Sequence, residues 1–122
     1  MNNTKHAVVI GGGPAGLMAA EALLQGGMHV DLYDAMPSVG RKFLLAGKGG
    51  LNLTHAESIA AFVSRYGMRR DVFEPLLDRF GPVELQAWVH DLGITTFVGT
   101  SGRVFPDQMK AAPLLLFLTN AL

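Results

Sequence analysis

The stretch His6-Ala-Val-Val-Ile-Gly-Gly-Gly-Pro-Ala-Gly16 decides the fold class of this chain. Residues 6–10 form a short, nearly unbroken apolar run, which is typical of a buried parallel strand. Residues 14–25 continue as an apolar helix with Pro14 in its first turn. Residues 29–33 form a second strand, so the chain opens with a compact βαβ unit, for which a right-handed crossover is expected.

The turn between this strand and helix has the spacing Gly11-x-Gly13-x-x-Gly16 of a dinucleotide-binding loop. In such loops the first glycine makes the tight turn, the second lets a pyrophosphate approach the backbone, and the third lets helix and strand pack closely. Asp34 follows the second strand at nearly the spacing expected for an acid that binds the ribose hydroxyls. A carboxylate there disfavours a 2′-phosphate and therefore an NADP adenosine. The alternative is an ordinary glycine-rich turn with a solvated Asp34.

Residues 35–56 differ in character from the βαβ unit, because they contain no acidic residue but carry Arg41, Lys42 and Lys48. We interpret this segment as an irregular, locally positive loop, and a long irregular loop in a compact domain is usually functional. The run Gly47-Lys48-Gly49 does not fit a phosphate-binding P-loop. That motif requires a glycine where Lys42 stands and a hydroxyl where Gly49 stands.

Two helices are predicted after this segment. Thr54-x-x-Glu57 has the form of a capping box for a helix that ends at Gly67. Asp71 is the expected cap of a second helix, which tolerates Pro75 only in its first turn. The inward face of that second helix is expected to hold Val72, Leu76, Leu77 and Phe80.

The last third of the chain predicts two further helices and a hairpin. A helix follows Gly81-Pro82, with an apolar stripe formed by Leu85, Trp88, Val89 and Leu92. Residues 94–98 and 103–105 are expected to be the strands of a hairpin around Gly99-Thr-Ser-Gly102. Residues 107–122 predict a final helix, rich in leucine.

Composition argues against several function classes. Of 122 residues, 49% are hydrophobic and 16% charged, which excludes a strongly charged disordered chain. Ten basic residues balance ten acidic ones, so we expect no nucleic-acid partner. The absence of cysteine excludes disulfides, thiolate metal sites and a redox-active dithiol within this segment. No signal peptide or membrane span is recognisable, so we expect a cytoplasmic protein with no membrane partner.

The remaining polar residues give weak signals. His6, His29, His55 and His90 show no paired metal-ligand spacing, so no metal site is expected, and each is interpreted as a surface or packing residue. Ser101 is interpreted as a hairpin residue. Arg103 lies either near a cofactor or substrate or in an ion pair at a strand edge. No residue can be named as a catalytic acid or base.

A family resemblance becomes visible in the central segment. The stretch Gly40-Arg-Lys-Phe-Leu-Leu-Ala-Gly-Lys-Gly-Gly-Leu-Asn-Leu-Thr-His55 resembles the corresponding part of the YhiN-like (BaiN/RdsA-type) FAD/NAD(P)-dependent oxidoreductases. Gly102-Arg-Val-Phe-Pro106 and Lys110-Ala-Ala-Pro-Leu-Leu115 are similar to later motifs of the same family, in the same order. The chain departs from the pattern at Gly50 and Leu51, where many members carry arginine and cysteine.

The resemblance implies an α/β fold: the N-terminal part of a Rossmann-like FAD-binding domain of the two-dinucleotide-binding-domain type, with inserted helices and a short β-hairpin. It implies FAD as cofactor and NAD(P)H as the co-substrate that reduces it. The cofactor-binding residues that it implies are Gly11, Gly13, Pro14, Ala15, Gly16, Asp34, Ala35, Gly40, Arg41, Lys42, Gly49, Gly50, Asn52 and Leu53.

Physical arguments bear on three of these side chains and on Lys48. Arg41 and Lys42 have the charge to neutralise a pyrophosphate, and the alternative is a solvated basic pair. Asn52 offers both a donor and an acceptor to a flavin edge, and the alternative is a turn-forming asparagine. Lys48 is interpreted as a loop lysine rather than a flavin contact.

The leading hypothesis is therefore the FAD-binding portion of a flavin-dependent oxidoreductase. The alternatives are a non-catalytic FAD- or nucleotide-binding module and the NAD-binding part of a dehydrogenase. We interpret residues 1–122 as an incomplete domain whose partner is the remainder of a longer flavoprotein chain. Alone it is expected to hold FAD weakly or not at all and to aggregate. The substrate, electron acceptor and oligomeric state do not follow from these residues.

Overall fold

The computed structural model describes residues 3–46 and 49–121, so Gly47 and Lys48 lie outside the described residues. In chain order the elements are β1 (His6–Ile10), α1 (Pro14–Gln25), β2 (His29–Tyr33), α2 (Arg41–Ala46), β3 (Thr54–His55), α3 (Ile59–Ser64), a 3₁₀ turn (Gly67–Arg69), α4 (Arg70–Arg79), α5 (Pro82–Asp91), β4 (Thr96–Val98), β5 (Arg103–Pro106) and α6 (Ala111–Ala121). They form two compact units. The first comprises residues 1–48 and 111–122, and the second residues 49–110.

The first unit is built on the predicted βαβ motif, and its element boundaries are confirmed. β1 and β2 pair in parallel, from His6 opposite His29 to Ile10 opposite Tyr33. Pro14 begins α1, where its fixed φ suits the first helical position and its missing N–H costs no hydrogen bond. Gly26 follows the helix, and its N–H donates to the carbonyl of Ala22 over 3.0 Å.

The sheet of the first unit has one covered and one open face. Leu17 and Ala20 of α1 are almost fully buried, and α1 lies against the face that carries Val9. Side chains alternate along a strand, so the opposite face carries His6, Val8 and Ile10. Val8 is 58% and Ile10 86% exposed, so this second face is open in the structure.

The second unit contains a three-stranded antiparallel sheet in the order β3-β5-β4. The predicted hairpin is confirmed, with Phe97 of β4 opposite Phe105 of β5 and Ser101 in the connecting turn. The side chain of Val104 on the central strand is fully buried. Val89 of α5, on the predicted apolar stripe, is also fully buried.

The predicted capping box at Thr54 is wrong. Thr54 lies in β3, where it pairs with Val104, and the N-cap of α3 is Ser58. The N–H of Ala61 donates to the Ser58 hydroxyl over 3.3 Å. The carboxylate of Glu57 is instead bound by two guanidinium nitrogens of Arg65. Residues 35–56 are also less irregular than expected, because they contain α2 and β3.

Of the four residues predicted for the inward face of α4, Leu77 is half-buried as expected, but the other three are exposed. Val72, Leu76 and Phe80 are 58%, 56% and 42% exposed. The helix instead turns Phe73 inward, where its ring stacks on that of Tyr66 with centroids 4.4 Å apart. Helix α4 begins at Arg70, so Asp71 lies in its first turn and does not cap it.

Several further details differ from the prediction. Helix α3 ends at Ser64 and not at Gly67, and β4 begins at Thr96 and not at residue 94. Pro75 is the sixth residue of α4 and lies inside the helix, beyond its first turn. The final helix begins at Ala111, later than residue 107, because the chain first turns at Met109. The N–H of Met109 donates to the carbonyl of Pro106 over 2.8 Å, and its φ is +61°. Within the described residues, no helix is long and apolar enough to cross a membrane.

Candidate nucleotide-binding site

The glycine loop of the first unit starts where β1 ends. The N–H of Gly11 donates to the carbonyl of Tyr33 over 2.7 Å, which continues the pairing of the two strands into the loop. The φ of Gly11 is +107°, a conformation that a residue with a Cβ rarely adopts. The chain therefore leaves the sheet at this glycine and turns toward α1.

Packing requires the third glycine of the motif. A Cβ on Gly16 would lie 1.8 Å from the carbonyl oxygen of Gly11 and 3.4 Å from the side chain of Val9. The first of these distances is far inside van der Waals contact. Gly16 thus lets α1 approach the end of β1, which is the packing role that the spacing predicts.

The space beside Gly13 is open. Gly13 is the N-cap of α1, and a Cβ placed on it would meet nothing within 4 Å in the described structure. The first turn of α1 includes Pro14, Ala15 and Gly16, and it contains no acidic residue. Helix N termini carry N–H groups without intrahelical partners and a partial positive charge, and both favour an anion. A phosphate can therefore approach the backbone here.

Asp34 is held by two backbone hydrogen bonds directly after β2. Its Oδ2 accepts from the N–H of Gly12 over 2.7 Å, and its Oδ1 accepts from the N–H of Met36 over 2.8 Å. The bond from Met36, then that from Gly12, then the positive charge of Arg41 lower the pKa of Asp34 below its ordinary value. The group is therefore a carboxylate at neutral pH. Each oxygen keeps a free lone pair that can accept from a ribose hydroxyl.

Gly12 is a residue of this site that sequence reasoning missed. Its N–H binds Asp34, and its carbonyl accepts from the N–H of Gly40 over 2.7 Å. A Cβ on Gly12 would lie 2.5 Å from Val39 and 2.7 Å from the Asp34 carboxylate. The signal was the middle glycine of the Gly11–Gly13 run, which the dinucleotide motif treats as a variable position.

Gly40 closes the loop that follows Asp34. It is buried, its φ is +72°, and a Cβ on it would lie 2.5 Å from the side chain of Leu115 in α6. Only glycine fits both the backbone conformation and the space. Ala35, at the other end of the loop, is exposed.

Arg41 and Lys42 are exposed at the start of α2. Arg41 Nε donates to the hydroxyl of Ser38 over 3.1 Å, and the Arg41 charge acts on the Asp34 carboxylate. This arrangement places positive charge near a predicted ribose acid. It suits a pyrophosphate neighbour and a solvated basic pair equally, so the phosphate role stays a prediction.

The other predicted cofactor residues, Gly49, Gly50, Asn52 and Leu53, lie in the second unit. The N–H of Leu53 donates to Val104 over 2.8 Å, so this segment is tied to β5. Leu51 between them is buried, whereas Asn52 is exposed and the φ of Gly50 is +108°. An exposed Asn52 carboxamide is available to a ligand, and its flavin contact stays a prediction.

Comparison with known proteins identifies the family. A family model described as the HI0933-like protein Rossmann domain matches residues 5–122. A relative from Haemophilus influenzae, named ribosomal RNA dihydrouridine synthase, is 30% identical over 109 residues, which cover 88% of this chain. The aligned region is 26% of that relative, so the chain spans about a quarter of its length. These matches confirm the Rossmann-like fold class and the resemblance to a flavoprotein family. The chain belongs to the HI0933-like Rossmann domain family.

Proposed function

We propose that this chain is the FAD-binding portion of a flavin-dependent oxidoreductase, with NAD(P)H as the reductant. One observation supports the proposal above all others: the Asp34 carboxylate is fixed by the N–H of Gly12, within the loop that leads into the open N terminus of α1. A ribose acid beside a phosphate-binding helix start is the arrangement that dinucleotide-binding Rossmann loops use.

The residues of the first unit fit the adenosine and diphosphate parts of FAD. Asp34 would accept hydrogen bonds from the ribose hydroxyls through the lone pairs that Gly12 and Met36 leave free. The N–H groups of the first turn of α1 would hold the diphosphate, and the empty space at Gly13 would admit it. When bound, the flavin supplies the hydride chemistry, and the protein supplies binding and orientation.

The charge of Asp34 favours FAD or NAD over a cofactor with a 2′-phosphate on its adenosine. A carboxylate at neutral pH would lie close to that phosphate, and two like charges at short distance repel. The family match to flavoproteins supports FAD over NAD as the resident cofactor. A non-catalytic nucleotide-binding module and the NAD-binding part of a dehydrogenase are the readings that remain to be tested against this one.

The test is the identity of the cofactor in the whole protein. The purified full-length protein should be yellow, and the cofactor released on denaturation should have the mass of FAD. Anaerobic NADH or NADPH should bleach the flavin absorbance. A colourless protein that takes up NAD but not FAD would contradict the proposal, and a yellow protein that neither nicotinamide reduces would leave a binding module without the proposed reductant.

A second candidate concerns the substrate, and it comes from the name of the relative. We propose as this candidate that the whole protein, like the Haemophilus influenzae relative by its name, makes dihydrouridine in ribosomal RNA. That reaction adds a hydride and a proton across the C5–C6 double bond of uracil, and NAD(P)H would be the source of the hydride. The expectation of no nucleic-acid partner rests on the charge of these 122 residues alone and stays a prediction.

Mass spectrometry of ribosomal RNA nucleosides tests whether the substrate is ribosomal RNA or an unidentified small molecule. Deleting the gene should remove one dihydrouridine if the second candidate holds, and a plasmid copy should restore it. Unchanged dihydrouridine in the deletion strain would return the substrate to an unidentified small molecule. The cytoplasmic location, also a prediction, is checked by fractionation of the same cells.

A further inference from the structure

We propose that His6, His29 and Asp31 form a binding site for a divalent transition metal ion of the Zn²⁺ type. The three side chains lie at the beginning of the parallel sheet of the first unit, where β1 and β2 start. Their potential ligand atoms all lie within 4.8 Å of one another. This site is separate from the nucleotide-binding loop and does not rest on the proposed function.

Strand register brings the three residues together. His6 and His29 are direct partners in the parallel pairing of β1 and β2, so their side chains leave the same face of the sheet. Asp31 follows His29 by two residues and therefore lies on that face as well. The parallel pairing thus converts two histidines that are distant in sequence into neighbours.

The side chains are already close to a ligating arrangement. The ring centroids of His6 and His29 are 4.7 Å apart, and the two rings are nearly perpendicular. His6 Nε2 lies 2.7 Å from Asp31 Oδ2. Ligand atoms around a tetrahedral Zn²⁺ with bonds of about 2.1 Å are roughly 3.4 Å apart. The separation that an ion requires therefore lies between the 2.7 Å of the His6–Asp31 pair and the 4.8 Å within which all the ligand atoms lie.

The chemistry of the set selects the class of metal. Two imidazole nitrogens and one carboxylate oxygen suit Zn²⁺ and its neighbours among the divalent transition metals, whereas Mg²⁺ and Ca²⁺ prefer oxygen ligands. The side chains of His6 and Asp31 are 53% and 40% exposed, so an ion can enter from solvent. Three protein ligands leave a fourth position for water or another ligand.

The bound ion is expected to cross-link the starts of β1 and β2. An ion that binds all three ligands links two strands that otherwise pair through backbone hydrogen bonds. Binding to the folded state alone stabilises a protein by mass action, so the melting temperature should rise with the metal concentration. The sequence predicted no metal site. The proposed site differs from that prediction because two of the four histidines are neighbours in space.

Titration of the full-length, chelator-treated protein with ZnCl₂ tests the proposal. We expect one equivalent of Zn²⁺ to bind with a dissociation constant in the micromolar range or below, and no heat from Mg²⁺ or Ca²⁺ at this site. Co²⁺ should produce the visible ligand-field bands of a tetrahedral complex. Absence of Zn²⁺ binding in this range would overturn the proposal.

Matched variants assign the ion to these residues. His6→Gln and His29→Gln remove one ligand each and should weaken Zn²⁺ binding at least tenfold, while far-UV circular dichroism shows whether each variant folds. His90→Gln is the control, because His90 lies on α5 in the second unit and should leave the affinity unchanged. If a variant fails to fold, Asp31→Asn provides the same test. Equal affinity in all folded variants would place the ion elsewhere and contradict the proposal.

Discussion

The backbone N–H of Gly12 donates a 2.7 Å hydrogen bond to Oδ2 of Asp34, 22 residues further along the chain. This bond joins the glycine loop after β1 to the end of β2. Its donor belongs to the segment that would hold a diphosphate, and its acceptor is the predicted ribose acid. A change at either residue is therefore expected to affect both the loop conformation and nucleotide affinity.

Replacing the carboxylate tests the ribose role directly. In Asp34→Asn, an amide NH₂ group replaces one of the two oxygens that accept hydrogen bonds from the N–H groups of Gly12 and Met36. The substitution also removes the negative charge that strengthens a hydrogen bond from the ribose. We expect the full-length variant to bind FAD about tenfold more weakly or worse. The measurement is a fluorescence titration of the flavin-free protein, with Asp78→Asn on the exposed surface of α4 as the control.

An FAD analogue separates ribose binding from loop structure. The wild-type protein should bind FAD more tightly than an analogue whose adenosine ribose lacks its hydroxyls, whereas Asp34→Asn should hardly distinguish the two. If the variant discriminates between them as well as the wild type does, Asp34 acts on the loop alone and the ribose assignment is wrong.

Stability should fall in acid for a related reason. Hydrogen bonds from Met36 and Gly12 lower the pKa of Asp34 below its ordinary 3.8, and the hydrogen bond from Arg65 lowers the pKa of Glu57 below its ordinary 4.5. The unfolded chain therefore binds protons first as the pH falls. The stability from both groups is complete above their ordinary pKa values and is lost as the pH falls through those values toward the folded ones.

Urea unfolding of the full-length protein between about pH 7 and about pH 3 measures this loss. The double variant Asp34→Asn, Glu57→Gln should be less stable at neutral pH, and its stability should depend less steeply on pH. Parallel curves for the wild type and the double variant would show that neither carboxylate contributes.

Local sequence signals predicted the βαβ unit, where they mark the ends of the helix and strands. Pro14 and Gly26 mark the ends of α1, β1 is a nearly unbroken apolar run, and β2 alternates polar and apolar residues, so the boundaries of the βαβ unit agree with the structure. Thr54 shows where this approach fails. Its spacing to Glu57 fits a capping box, but pairing with Val104, 50 residues away, makes it a strand residue. Long-range pairing overrides a local motif in this case.

In the candidate site, too, local spacing predicted some residues, whereas the roles of others depend on long-range contacts. The positions of Gly16 and Asp34 follow from motif spacing, because each role is set within the βαβ unit. The role of Gly12 depends on where the loop after Asp34 passes, and no spacing rule encodes that path. The approach of His6 to His29 depends on strand register, which the histidine spacing alone does not reveal.

Two glycines of the loop should respond differently to alanine. Gly16→Ala places a Cβ 1.8 Å from the Gly11 carbonyl, so α1 or β1 must shift, and we expect a loss of about 2–4 kcal/mol in unfolding free energy. Gly13→Ala meets nothing within 4 Å and keeps an ordinary φ of −79°, so its loss should stay below about 1 kcal/mol.

Substitutions at Gly13 should affect cofactor binding more than stability. Gly13→Ala should fold and yet weaken FAD binding at least about tenfold, because its methyl group occupies the space that a diphosphate needs. Gly13→Val should abolish flavin retention. Chemical denaturation and released flavin per protein are the two measurements. Stoichiometric flavin in a folded Gly13→Val protein would contradict the diphosphate placement.

The two prolines at Pro75 and Pro82 should also behave in opposite ways. Pro75 lies inside α4, where its ring opposes the carbonyl of Asp71 and it has no N–H to donate, whereas Pro82 is the first residue of α5. Pro75 is exposed, so Pro75→Ala restores a helical hydrogen bond without leaving a cavity and should stabilise the protein by about 1–3 kcal/mol. Pro82→Ala is the matched control and should give no gain. Urea denaturation of the two variants and the wild type measures both effects. An equal change in unfolding free energy at the two positions would show that Pro75 does not destabilise α4.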